Sequence, residues 1–113
     1  MDPVTEALPY IRSNLETYGI EWINKGRVSD NFKFLIFGRP DHGKQIGIYG
    51  REKTIIRLES YGYDIPGVSL LPKCATSHAA NAKYSNFRDG EGVCVIVDNT
   101  GALKALLDQY FAK

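Results

Sequence analysis

Between residues 20 and 61 the chain sets four runs of β-forming residues so close together that few arrangements can join them. The runs are IEWIN (20–24), DNFKFLIFG (30–38), KQIGIYG (44–50) and KTIIRLESY (53–61). The later three are separated by RPDHG (39–43) and GRE (50–52), both with strong turn chemistry. A parallel crossover needs about a dozen residues or more, so connections this short join antiparallel neighbours. Residues 20–61 therefore read as an antiparallel meander. Within it, Phe32, Phe34 and Ile36 alternate with Lys33, Leu35 and Phe37. In the same way Ile46 and Ile48 oppose Gly47 and Tyr49, and Ile56 and Leu58 oppose Ile55, Arg57 and Glu59.

Helical patterns flank the meander. Val4, Leu8, Ile11, Leu15 and Tyr18 recur at three- and four-residue steps behind a capping Asp2 and Pro3. Gly19 is placed to end that helix in the left-handed conformation. Pro9 either kinks the helix or marks its true first turn, because its ring cannot donate the interior bond. At the other end, Leu103, Leu106, Leu107, Tyr110 and Phe111 form one apolar stripe capped by Asn99 or Thr100. GVCVIVD (92–98) is a continuous apolar run that suits a strand buried on both faces or central in its sheet. Residues 61–92 show no sustained period, and VSLL within them suits a helical turn or a short strand. The expected class is α+β: one domain over 1–113, an antiparallel sheet of about five strands with N- and C-terminal helices packed on one face.

The stretch FGRPDHGKQIG (37–47) carries the Gly-x4-Gly-Lys spacing of a phosphate-binding loop. A working loop leads into a helix whose N–H groups hold the phosphates. Here QIGIYG alternates like a strand, and Gln45 lacks the hydroxyl that would ligate Mg²⁺. The stretch is a hairpin tip, with Pro40 and Asp41 near the apex and Gly43 at positive φ.

Apolar residues are 43% and charged residues 24% of the 113, an ordinary folded composition. No segment approaches the roughly 18 apolar residues of a membrane span. The N-terminal residues lack the basic and apolar regions of a signal peptide, which makes the cytoplasm the default location. In a reducing compartment a Cys74–Cys94 disulfide is disfavoured, and Cys94 reads as a small buried hydrophobe. Two cysteines and two histidines, scattered, do not supply a metal-ligand pattern, and nothing implies a cofactor.

Charge is the better clue. Residues 25–57 hold eight Lys/Arg against three acids, a net +5 in a chain of net +1. An anionic partner, nucleic acid included, would meet Arg39, Lys44, Arg51, Lys53 and Arg57 there. The aperiodic NAKYSNFR (81–88) adds Asn81, Lys83, Tyr84, Asn86 and Arg88, side chains suited to stacking and hydrogen bonding on a polar ligand or base. The leading expectation is thus a small binding module without a catalytic centre. Seven Tyr, five Phe and one Trp, with an exposed edge strand, also suit a protein–protein accessory role or a homodimer. A third class is a small enzyme using the Cys74/His78 pair, a thiol beside an imidazole base.

Overall fold

The computed structural model describes residues 2–23, 34–40, 44–50, 52–71 and 92–112. The N-terminal helix forms in pieces, and Pro9 explains the first break. A proline cannot donate to the carbonyl four residues back, and its ring crowds that carbonyl. The chain accordingly starts as a widened π-helical turn, Pro3–Ala7, in which Ala7 N–H reaches Asp2 C=O at 3.3 Å. Pro9 then sits in the first turn of α1 (Leu8–Ser13). Asn14 makes the second break, its amide donating to the Tyr10 carbonyl at 2.8 Å before α2 (Leu15–Tyr18) begins. Gly19 closes α2 at φ 65°, the left-handed position its sequence context predicts.

Among the described residues six strands follow: β1 (Glu21–Trp22), β2 (Phe34–Gly38), β3 (Gln45–Tyr49), β4 (Thr54–Leu58), β5 (Val68–Leu70) and β6 (Val93–Val97). They lie in the order β1-β2-β3-β4-β6-β5, and every pairing is antiparallel. The meander from β1 to β4 is thus as the short turns require. β6 is interior to the sheet, between β4 and β5, which accounts for its unbroken apolar run. β5, ambiguous in sequence, is an edge strand of three residues. It is preceded by Gly67 at φ 88°, where an added Cβ would come within 2.9 Å of the Ala102 Cβ.

Register sorts the side chains. Leu35, Ile48, Ile56, Val95 and Leu70 line up across five strands, as do Phe37, Ile46, Leu58 and Val93 across four. This face meets α3 (Thr100–Tyr110), whose Leu103, Leu106, Leu107 and Tyr110 are buried in the same core as Ile11 from α1. Each such aliphatic side chain stabilises the fold by roughly 1.5–3 kcal/mol when fully buried. Asn99 starts α3, its Oδ1 accepting from Ala102 N–H at 2.8 Å. The terminal helices and sheet therefore make the expected α+β layering. On the opposite sheet face stand Ile36, Gly47, Arg57 and Cys94, one per strand.

Candidate binding groove at the end of the C-terminal helix

α3 has no basic residue in its last turn, so its terminal carbonyls lack a local cation. The β2–β3 hairpin supplies two. Arg39 Nη2 donates to Phe111 C=O at 2.8 Å, and Lys44 Nζ donates to Tyr110 C=O at 2.9 Å. The hairpin ends are themselves tied, Arg39 N–H to Lys44 C=O at 3.1 Å. Arg39 lies over the Phe111 ring at 5.9 Å and Lys44 over the Tyr110 ring at 5.0 Å. Cations at the carbonyl end of a helix oppose its dipole, and the aromatic faces add to the attraction. The residues that mimic a phosphate loop in sequence hold a helix terminus in space, with Gln45 starting a strand.

Tyr110 fastens the same corner. Gln45 and Glu59 stand next to the last pair of the β3–β4 ladder, Ile46 and Leu58. The Tyr110 hydroxyl enters there, donating to Gln45 C=O at 2.9 Å and accepting from Glu59 N–H at 3.0 Å. Gln45 N–H is met by the Glu59 carboxylate, also at 2.9 Å. Burial pushes the Tyr110 hydroxyl well above the ordinary tyrosine pKa, so it stays a donor.

Across from this corner, α2 meets α3 through polar side chains. Tyr18 O–H donates to Asp108 Oδ1 at 2.9 Å, with the Tyr10 hydroxyl 3.0 Å from it. Lys104 Nζ donates to Asp108 Oδ2 at 2.6 Å. The lysine contact first, and the tyrosine second, hold the Asp108 carboxyl below its ordinary value. Burial and these hydrogen bonds raise the Tyr18 pKa.

Between the two sets of contacts lies an open groove of about 630 Å³. Its walls are Glu16 to Gly19 at the end of α2, Arg39 and Pro40 after β2, and Asp108 and Phe111 of the C-terminal helix and its cap. That volume is in the range of small-molecule sites, roughly 300–1,000 Å³. Arg39 is the candidate residue within it. One guanidinium nitrogen is committed to Phe111, and among the described residues no other acceptor meets the group. A guanidinium fixed at one edge and open at another is prepared for a carboxylate or phosphate.

Of the other sequence-derived candidates, the two described ones, Lys53 and Arg57, do not gather here. Lys53 is exposed before β4, at the far end of the sheet from Arg39 and Lys44. Arg57 is 2% exposed on the sheet face away from the helices, paired between Gly47 and Cys94, so it is an interior residue. Arg51, Asn81, Lys83, Tyr84, Asn86 and Arg88 lie outside the described residues, as do Gly43, Cys74 and His78. Glu16, Thr17, Tyr18 and Asp108 carry no sequence signal of a site. Tyr18 and Asp108 are 90 positions apart, and only the packing of α2 on α3 unites them.

Cys94 corrects an expectation. It is buried as its apolar run requires, but it is disulfide-bonded, not a free thiol. A bonded sulfur carries no hydrogen, so the Tyr49 hydroxyl, 3.4 Å from Cys94 Sγ, is the donor in that contact. The chain has one other cysteine, Cys74. The described residues contain no helix long and apolar enough to cross a membrane.

Compared with protein-family models, with curated proteins and with solved structures, the chain matches none.

Proposed function

We propose that the chain is a small binding module that takes an anionic group of its ligand at Arg39. The observation that carries this reading is the state of that guanidinium. It is oriented by Phe111 C=O and the Phe111 ring, and it borders a groove large enough for a small molecule. Orientation before binding lowers the entropy lost on binding, which is what separates a site from an ordinary surface arginine. Among the described basic residues of 25–57, Arg39 is the member with suitable geometry, while Lys44 mainly holds α3. An extended nucleic-acid track across Arg39, Lys44 and Lys53 is less favoured, because these residues stand at opposite ends of the sheet. Titration of the labelled protein with N-acetylphenylalanine and with a short single-stranded oligonucleotide tests the reading. Amide shifts confined to residues 16–19, 39 and 108–111 with the carboxylate support it; shifts elsewhere, or none, count against it.

A second reading rests on β5. Leu70 is 60% exposed, the large hydrophobic that stands out among the described residues, and it lies on an edge strand. Partner association, including a homodimer, would use that edge. Pro66 and Pro72 bracket it, so pairing there is short. Sedimentation of wild type and Leu70→Lys decides: association lost in the variant supports the edge, and a monomer at all concentrations removes it.

Location follows from cysteine chemistry. A bonded Cys94 argues for a compartment that tolerates disulfides, against the cytoplasmic default. With Cys94 bonded and one other cysteine in the chain, a thiol nucleophile at Cys74 is not carried forward.

A further inference from the structure

Resting on the reading of Arg39 as an anion contact, we infer that the groove selects a zwitterion: a free amino acid or short peptide with an apolar body. The inference comes from the charges that share the groove with Arg39. Glu16 and Asp108 both line it, and Lys104 balances Asp108 from its other side. Glu16 is exposed, and among the described residues its carboxylate has no partner.

Magnitudes decide which ligand gains. Two unit charges about 4 Å apart in water interact by only about 1 kcal/mol. A bare anion at Arg39 therefore gains an attraction that Glu16 and the residual field of Asp108 largely offset. A bare cation near Glu16 meets the same opposition from Arg39. A ligand carrying both charges turns each of these repulsions into an attraction, its carboxylate on the guanidinium and its ammonium on the Glu16 side. Thr17, exposed in the same wall, adds a hydroxyl able to donate or accept. The remaining walls are Pro40, the Tyr18 ring and the Phe111 ring, with Tyr18 and Phe111 centroids 6.1 Å apart. They offer apolar surface to the body of the ligand. Polyanions are disfavoured by the same acids, since successive phosphates would be driven onto Glu16 and Asp108.

The test is a four-ligand titration of the whole chain followed by amide chemical shifts. The ligands are L-phenylalanine, glycyl-L-phenylalanine, N-acetyl-L-phenylalanine and L-phenylalaninamide. One of the two zwitterions is expected to bind at least tenfold tighter than both the acetylated and the amidated forms. Which zwitterion is preferred separates a free amino acid from a peptide terminus. Glu16→Gln is expected to abolish that preference, weakening the zwitterion and tightening the acetylated form that Glu16 no longer repels, and its exposed side chain makes the variant safe for folding. Equal binding of zwitterion and N-acetyl form overturns the inference and leaves the Arg39 reading standing. Shifts at residues 16–19, 39 and 108–111 with none of the four ligands overturn both.

Discussion

At the scale of single residues, Tyr110 does more than fill the core. Its hydroxyl relays a hydrogen bond between β3 and β4 while its carbonyl accepts Lys44. Tyr110→Phe keeps the ring and removes the relay, leaving Gln45 C=O and Glu59 N–H without that partner. The expected loss in chemical denaturation is about 1–3 kcal/mol. The folded-state pKa of Tyr110 is raised above its unfolded value of 10.0, so its contribution is complete below pH 10 and is lost as pH rises beyond it. Tyr110→Phe is therefore expected to flatten the alkaline decline in stability; an unchanged alkaline limb would contradict this. Asp108 has the opposite sign. Its folded pKa lies below the ordinary 3.8, so its contribution is present above that pH and is lost as pH falls through the folded value. The stability difference between wild type and Asp108→Asn should shrink as the solution is taken below pH 3.8, measured by denaturant midpoints. Neither role is visible in sequence. Tyr110 reads there only as a stripe position and Asp108 carries no signal, because their partners are brought by tertiary packing.

The elements were legible to different degrees, for physical reasons. α3 was legible because a capping residue, Asn99 or Thr100, precedes its apolar stripe, and the structure uses Asn99 as the cap and buries the stripe. Asn99→Ala is expected to cost about 0.5–2 kcal/mol in denaturation. The first helix was legible as helix, and Pro9 takes one of its two expected places, the first turn of α1, whereas the widened turn before it and the break at Asn14 leave no mark in the periodicity. β5 was ambiguous because three residues are too few to establish a period. The hairpin from Arg39 to Lys44 was legible as a hairpin, while its helix-capping function was not, since no local pattern tells a turn cation where the end of α3 will fall. Replacing both with glutamine in Arg39→Gln/Lys44→Gln should lower stability by roughly 0.3–1 kcal/mol per residue. The deficit should narrow at high salt, because the interaction with helix carbonyls is screened. A deficit independent of salt would assign these side chains to packing alone.

For the whole molecule, the β-meander was the most readable feature, because turn length and alternation both admit one antiparallel solution. The order of β6 and β5 was not readable, because the aperiodic 61–92 connection sets no limit on where the chain returns. Among the described residues, the basic middle third divides into a helix clamp at one end, an exposed Lys53 at the other and a buried Arg57 on the sheet face away from the helices. The core on which the groove depends can be checked separately, since Leu106→Ala should destabilise the fold by about 2–5 kcal/mol. The groove itself exists only because α2, the β2–β3 hairpin and α3 converge. Its central residue, Arg39, joins the clamp on the end of α3 to the proposed anion contact. The most direct measurement is the Arg39 Nε–H resonance, recorded alone and on titration with glycyl-L-phenylalanine. It is expected to be a single resolved signal in the free protein that moves saturably with ligand, together with the Phe111 and Thr17 amides. A signal averaged with the other arginines, or one that stays still while distant amides shift, would contradict the assignment of Arg39 as a prepared anion site.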